Sequence, residues 1–232
     1  MGVITISREY GSDGRTVARK VAEALSYHNI DKELLVEVAQ KAQVPVSEVE
    51  RYDELPEHPA LRILRKFLTP GYADTLTGLS EYEWWAAATV PELSDHRDLA
   101  LITMDEEVYA KLTAEVEMQM ADQGDVVILG RGGQAVLKGR EDTLHVRVVA
   151  TQNFKLDVVK DRDQLTNDED AIRRMREVDE RRRTYIKRHY KVNWDNPHLY
   201  SVIVNTGFLG VDGAVDAIVC AARKVIRRKK RE

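Results

Sequence analysis

Near its start the chain reads VITISREYGSDGRT over residues 3–16, and the predicted fold rests first on these residues. Val3–Ser7 is a short apolar run typical of a buried β-strand. Gly11–Gly14 is rich in small and polar residues and indicates a turn. Thr16–Leu25 then places apolar residues on one face at helical spacing. The order of strand, glycine-containing turn and helix predicts the opening of a nucleotide-binding α/β unit.

The turn partly matches the phosphate-binding loop G-x-x-x-x-G-K-[ST]. In such a loop, consecutive backbone N–H groups and the start of the following helix face the phosphates. Gly14-Arg15-Thr16 fits the end of the pattern, with Arg in place of Lys. Glu9 stands where the first Gly is expected. The pattern is therefore met in part.

Several residues of this loop suit phosphate binding nevertheless. Gly11 and Gly14 permit the backbone conformations that such a turn needs. Arg15 keeps a positive charge at the Lys position, although its planar guanidinium differs in reach from an ammonium group. Arg8 offers a second cation, and the Thr16 hydroxyl is suited to binding Mg²⁺. A plain strand-to-helix turn is the alternative interpretation.

The composition is that of a globular protein, with 43% hydrophobic and 32% charged residues in 232. The net charge of −4 argues against polyanion binding by the whole surface, so nucleic acid is not the expected partner. Cys220 is the single cysteine and lies in an apolar stretch, which predicts a buried thiol in a reducing cytoplasm. No secretory signal is visible, and no apolar run approaches the ~18 residues that span a membrane.

Strands alternate with helices along the rest of the chain outside its middle. This alternation predicts an α/β fold with a mostly parallel sheet covered by helices on both faces. Strands are predicted over His28–Ile30, Asp125–Leu129, Leu144–Ala150 and Ser201–Asn205. Helices are predicted after Asp31, after the strand that ends at Leu129 (to about Lys138), over 152–163, over 168–190 and from about 211 to 228.

The middle of the chain, residues 45–125, differs in composition. It holds 18 Asp and Glu against 6 Lys and Arg, together with five of the six prolines. Helical spacing recurs over 61–68 and from about Asp105 to Met120. We interpret this segment as a helical, acidic insertion within a single domain of residues 1–232. Its aromatic residues are suited to simple packing, to closure over a site or to a subunit interface such as a homodimer contact.

Two polar residues follow predicted strands at positions where ligands bind in open α/β sheets. Asp31 comes directly after His28–Ile30, and Arg131 follows the apolar run 127–129. The carboxyl ends of parallel strands meet at one edge of the sheet, so both residues are expected there. A single Arg at this edge can hold a phosphate with two hydrogen bonds. A helix cap or a surface ion pair is the alternative for each.

A strongly basic helix is predicted late in the chain. Arg173–Lys191 contains 9 Lys and Arg against 3 Asp and Glu. Arg176, Asp179 and Arg183 share one side of this helix by their spacing. Arginines of this kind can stabilise the charge of a transferring phosphoryl group. RNA binding and docking against the acidic insertion are the alternatives.

Five features follow one another along the chain: ITISREYGSDGR at residues 4–15, Asp31, ILGRG at 128–132, the arginine-rich Met175–Tyr190, and VNT at 204–206. In this order and spacing they resemble the cytidylate kinase-like family. The resemblance covers both ends of the chain but not its acidic middle.

The resemblance implies a three-layer P-loop NTPase-type fold and transfer of the γ-phosphoryl group of ATP to CMP or dCMP with Mg²⁺. It also implies residue roles. The donor phosphates would be held by Ser7, Arg8, Gly11, Ser12, Asp13, Gly14, Arg15 and Thr16, with Thr16 on the metal. Asp31 and Arg131 would bind the acceptor, and a lid helix over 168–191 would bring in Arg176, Asp179, Arg182 and Arg183. Together with Arg15 these four would be the catalytic residues, with Arg15, Arg176 and Arg183 neutralising the transferring charge.

The chain departs from the family pattern at three positions. Arg15 and Gly132 stand where cytidylate kinases carry Lys and Asp, and Ser201 stands where an Asp often precedes the last strand. The alternative to an active kinase is therefore a catalytically silent nucleotide-binding protein that acts through partners.

Overall fold

A computed structural model describes residues 2–31 and 106–229 of the chain. The predicted helix after Asp31 and most of the predicted insertion lie outside these residues. In chain order the elements are β1 (Val3–Arg8), α1 (Gly14–Leu25), β2 (His28–Ile30), α2 (Glu106–Gln123), β3 (Val126–Leu129), α3 (Gly133–Val136), β4 (Thr143–Val149), α4 (Gln152–Asp163), α5 (Asp168–Tyr190), a 3-10 turn (Pro197–Leu199), β5 (Val202–Asn205) and α6 (Thr206–Lys229).

Five parallel strands form one sheet in the order β2-β3-β1-β4-β5. Ile6 on the central strand β1 is in register with Leu129 on β3 and with Val146 on β4. All the strands run the same way, so the turns after β1, β2, β3, β4 and β5 lie at one edge of the sheet. This arrangement confirms the predicted α/β fold and its parallel sheet.

Alternation along β1 divides its side chains between the two faces of the sheet. Ile4 and Ile6 join the larger hydrophobic core, which α1 and α6 cover with buried alanine and valine residues. Thr5 faces the other side, where it lies next to Gly133 at the start of α3. Burial on both faces explains why the strands read as nearly continuous apolar runs.

A second, smaller core joins α4 and α5 to the turn after β1. It contains Tyr10 from that turn, Val159 from α4, and Ala171, Met175 and Val178 from α5. The long helix α5 begins as the sequence predicts, because the Asn167 side chain accepts a hydrogen bond from the backbone N–H of Asp170. The packing therefore brings the basic helix against the candidate phosphate loop.

Two details of α6 differ from expectation. The helix begins at Thr206, and the non-helical backbone of Gly210 interrupts it, so the predicted start near residue 211 is where the helix resumes. The prediction that Cys220 is buried was wrong, since its side chain is exposed. Val219 and Ala222 on the same turns face the core, and helical geometry turns residue 220 away from it. Among the described residues, no helix is long and apolar enough to span a membrane.

Candidate phosphate-binding site

The turn after β1 contains two residues with a left-handed backbone. Gly11 has φ +82°, and a Cβ atom there would lie 2.8 Å from Cγ2 of Val159 and 3.0 Å from the carbonyl oxygen of Lys155. Asp13, at the N-cap of α1, is also left-handed, with φ 56°. The close approach of α4 and the positive φ together explain the glycine that the sequence places at position 11.

The first turn of α1 presents backbone donors towards the sheet edge. No acidic residue lies in that turn, and no side chain caps the helix. Among the described residues, none accepts a hydrogen bond from the backbone N–H groups of Gly14, Arg15 and Thr16. Such a helix start carries a partial positive charge, which suits a phosphate group.

Two side chains of α5 hold the turn from outside. The Oδ1 atom of Asp179 accepts a hydrogen bond from the backbone N–H of Tyr10 at 2.9 Å. The Nη1 atom of Arg182 donates to the carbonyl oxygen of Arg8 at 2.9 Å and to Asp179 at 3.1 Å. Burial raises the pKa of Asp179, and the charge of Arg182 opposes this shift. These contacts fix the turn's backbone through residues of the predicted lid helix.

Hydrogen bonds from Thr206 and Ser12 also hold the backbone of the turn. The Thr206 hydroxyl donates to the carbonyl oxygen of Ser12 at 2.9 Å, and the Ser12 hydroxyl donates to the carbonyl oxygen of Glu9 at 2.8 Å. The Glu9 carboxylate lies 2.9 Å from the Lys155 ammonium. Glu9, which stands at the first glycine position of the loop pattern, therefore points towards α4 and pairs with Lys155 there.

Asp31 joins Arg15 to Arg131. The Nε atom of Arg15 lies 2.8 Å from Oδ2 of Asp31, and Nη1 of Arg131 donates to the carbonyl oxygen of Asp31 at 3.0 Å. Asp31 is 14% exposed and Arg15 is 44% exposed. The other carboxylate oxygen of Asp31, Oδ1, is buried and has no hydrogen-bond partner among the described residues. The structure therefore brings together three of the residues singled out from the sequence.

The turn after β3 is unusual because three successive residues have positive φ. Gly130, Arg131 and Gly132 have φ of 84°, 52° and 95°. A Cβ atom on Gly132 would overlap the Tyr190 ring, whose hydroxyl donates to the carbonyl oxygen of Arg131 at 3.3 Å. The end of α5 therefore packs directly on this turn and shapes the backbone around Arg131.

The remaining α5 residues proposed from the sequence point to different places. Arg176 is exposed and makes no ion pair with another described residue. Arg183 pairs with Asp195 at 2.7 Å and with Glu180. Arg176, Asp179 and Arg183 therefore do not contact a common partner as their spacing predicts. Asp179 instead pairs with Arg182.

One polar network at this edge escaped the sequence interpretation. Arg147 on β4 stacks on the Trp194 ring, donates to its carbonyl oxygen and pairs with Asp195 at 2.8 Å. The Trp194 indole N–H donates to the Ser7 hydroxyl at 2.7 Å. Burial pushes the pKa of Asp195 upward, but hydrogen bonds from Arg183 and Arg147 outweigh it, so the pKa is lowered. A charged Arg147 between two valines of a largely buried strand was the available signal.

A model of the cytidylate kinase-like family matches residues 3–207. The chain belongs to this family. Its turn after β1, Asp31, and the turn that carries Arg131 all lie within the matched residues. The membership and the fold support a nucleotide kinase-like protein. No curated protein shows significant similarity to the chain.

Comparison with solved structures gives one match at the level of the fold and one weaker similarity. A crystal structure of an uncharacterized protein from Eubacterium ventriosum ATCC 27560 aligns with a TM-score of 0.63 at 19% identity, over 96% of this chain and 99% of that one. This match shows a common fold. Shikimate kinase from Bacteroides thetaiotaomicron aligns with a TM-score of 0.47 at 11% identity, over 97% of this chain and 98% of that one. The latter similarity is too loose to add to the fold assignment.

Proposed function

We propose that this protein is a nucleoside monophosphate kinase, which transfers the γ-phosphoryl group of ATP to CMP, dCMP or a related nucleotide. The observation that carries the proposal is the chain of contacts from Arg15 through Asp31 to Arg131. It joins the turn suited to donor phosphates to the turn suited to an acceptor phosphate. Phosphoryl transfer requires both substrates in line at one place, and this contact chain supports that arrangement.

The donor side rests on backbone chemistry. The first-turn N–H groups of α1 have no acceptor among the described residues, and the turn before them is held rigid by Asp179, Arg182 and Thr206. A rigid set of donors needs no rearrangement when charge develops on the phosphates. Arg15 is partly exposed on the same turn and adds positive charge beside it.

The acceptor side rests on one carboxylate and one guanidinium. The buried Oδ1 atom of Asp31 can accept a hydrogen bond from a sugar hydroxyl or a base amino group of the acceptor. Arg131 is buried at the start of the neighbouring turn and can bind the acceptor's phosphate. Arg176 and Arg183 would contribute further positive charge from α5 when substrates are bound.

Magnesium fits this site as an ion held mainly by substrate. Among residues 2–31 and 106–229, no group of three or more His, Cys, Asp or Glu could hold a metal. Mg²⁺ in kinases keeps several waters and binds through one or two protein oxygens and the phosphates. The half-buried Thr16 on the first turn of α1 would supply one such oxygen. Bound there, the ion would neutralise phosphate charge.

An acceptor panel tests the proposal. Purified protein would be incubated with ATP, Mg²⁺ and each nucleoside monophosphate in turn, and the acceptor-dependent release of ADP would be measured. We expect stimulation by a pyrimidine monophosphate and loss of that stimulation in Asp31→Asn. Arg19→Gln on α1 is the matched control, because Arg19 is exposed and pairs only with Glu23 among described residues.

A catalytically silent nucleotide-binding protein is the second candidate. The observation that favours it is the Arg15–Asp31 ion pair, since it engages the cation that stands at the Lys position of the loop. Binding of ATP with no ADP release under any acceptor would support this alternative. Robust turnover with one acceptor would exclude it.

A further inference from the structure

Arg8 is a buried cation in the strand that leads into the phosphate loop. It is the last residue of β1 and is 7% exposed. By alternation it lies on the same face as Ile4 and Ile6, the face that α1 covers. Its carbonyl oxygen accepts the hydrogen bond from Arg182, so its backbone is fixed.

The Arg8 side chain lies against two glycines, Gly14 and Gly130. A Cβ atom on Gly14 would lie 2.5 Å from Cβ and 2.9 Å from Cγ of Arg8. A Cβ atom on Gly130 would overlap Nη1 of Arg8 and lie 3.0 Å from its Cζ. The stem of Arg8 therefore passes Gly14 at the start of α1, and its guanidinium reaches Gly130 in the turn after β3. Arg8 spans the space between the two turns.

Arg15 does not occupy this position. Its guanidinium is paired through Nε with Asp31, and its side chain is 44% exposed. Glycine at positions 14 and 130 leaves room for the Arg8 side chain, because a Cβ atom at either position would overlap it. The buried, geometrically confined cation between the turns is thus Arg8, while the residue at the Lys position of the loop pattern lies to one side.

We propose that Arg8, and not Arg15, is the catalytic residue that supplies positive charge between the donor and acceptor phosphates. This inference rests on the proposed kinase function. In the transfer, an ionised phosphate oxygen of the acceptor forms a bond to the γ-phosphorus of ATP. The bond from that phosphorus to the bridging oxygen breaks, and the electron pair stays on ADP. Arg8 gives and takes no proton, and its charge offsets negative charge on the transferring oxygens.

The test compares Arg8→Gln and Arg8→Lys with Arg15→Gln under saturating ATP and the best acceptor. We expect Arg8→Gln to lower kcat by about 100-fold or more, the range seen when one stabilising donor is removed from a transition state. Arg8→Lys should recover part of the loss, because it restores the charge without the planar fork. Arg15→Gln should act mainly by raising KM for ATP. Arg19→Gln should leave both constants unchanged.

A second variant displaces Arg8 without removing it. Gly130→Ala puts a methyl group where the Arg8 guanidinium lies, at φ +84°. Gly139→Ala is its matched control, since Gly139 has φ +87° and nothing lies within 4 Å of its Cβ position. We expect Gly130→Ala to lower kcat like Arg8→Gln, and Gly139→Ala to keep it. Thermal unfolding of each variant separates this effect from loss of fold.

The outcomes separate the two proposals. One result overturns the role of Arg8 and leaves the kinase function standing. In that result the wild-type protein turns over an acceptor, Arg8→Gln keeps kcat within about tenfold of the wild type, and Arg15→Gln lowers kcat strongly. If the wild-type protein turns over no nucleoside monophosphate, the proposed function fails and the role of Arg8 fails with it.

Discussion

Arg15 and Asp31 form an ion pair, with 2.8 Å between Nε of Arg15 and Oδ2 of Asp31. The pair sits where the helix after β1 meets the end of β2. Asp31 in turn accepts a hydrogen bond on its carbonyl oxygen from Arg131. Three residues from separate parts of the sequence are thereby connected at one edge of the sheet. These contacts connect the turn after β1, on the proposed donor side, to the turn after β3, on the proposed acceptor side.

Replacing Asp31 should weaken acceptor binding more than ATP binding. Asp31→Asn removes the negative charge of a carboxylate whose Oδ1 is buried and has no hydrogen-bond partner among the described residues, the atom proposed to accept from the acceptor. A hydrogen bond to a charged group contributes about 1.5–3 kcal/mol, so KM for the acceptor should rise roughly 10- to 100-fold. Steady-state kinetics with each substrate varied would measure this. An equal rise in KM for ATP, or no change for the acceptor, would contradict the assignment. Asp212→Asn, at an exposed residue paired with Lys20, is the control.

Removing Asp179 should loosen the candidate phosphate loop. Asp179→Ala deletes the acceptor of the Tyr10 N–H and of Arg182, so we expect the free energy of unfolding to fall by about 2 kcal/mol. Arg176→Ala, at an exposed position of the same helix, should change it by less than about 0.5 kcal/mol. Urea denaturation measures both variants. Equal losses for the two would show that Asp179 does not hold the loop.

Alanine at Gly132 should be far more harmful than alanine at Gly139. Both glycines have similar positive φ, 95° and 87°, but only at Gly132 would the new methyl group overlap the Tyr190 ring. Backbone strain alone costs about 1–2 kcal/mol, and overpacking adds about 1–3 kcal/mol. We expect the unfolding free energy of Gly132→Ala to lie well below that of Gly139→Ala. Similar values for the two would contradict the packing of α5 on this turn.

Stability should fall in mild acid because of His145. Burial lowers the pKa of His145 below its ordinary value of 6.5, and its Nδ1 atom lies 2.8 Å from the Thr5 hydroxyl. Below pH 6.5 the unfolded chain binds a proton that the folded protein does not, so stability falls as pH falls, by up to about 1.4 kcal/mol per pH unit. His145→Asn should flatten this dependence between pH 7.5 and 5.5 in denaturation experiments, whereas His198→Asn, at an exposed residue, should not. An unchanged slope in His145→Asn would show that another group is responsible.

Local patterns were enough for most of the fold. The strand Val126–Leu129 begins one residue after its predicted start, and the helix Asp168–Tyr190 has the predicted bounds, because an apolar run and a capped, periodic segment each specify their element locally. Placement of Asp31 and Arg131 at one edge followed from the parallel sheet. These predictions needed no knowledge of which helix packs on which strand.

Directions of long polar side chains could not be predicted in the same way. Spacing on α5 grouped Arg176 with Asp179, but the contact with the loop is made by Asp179 and Arg182, because the turn at Tyr10 packs on that face. Arg147 and Trp194 meet although 47 residues separate them in sequence. Such contacts depend on the packing of α4 and α5, which no local pattern contains.

The proposed activity transfers phosphate between nucleotides, so the decisive measurement follows the phosphorus atom. ATP labelled with ³²P in the γ-position would be incubated with the protein, Mg²⁺ and each nucleoside monophosphate in turn, CMP and dCMP first, and the products separated by chromatography. We expect the label in the corresponding diphosphate, with less of it formed by Asp31→Asn. Label that stays in ATP or appears only as inorganic phosphate, with every nucleoside monophosphate offered, would contradict the claim.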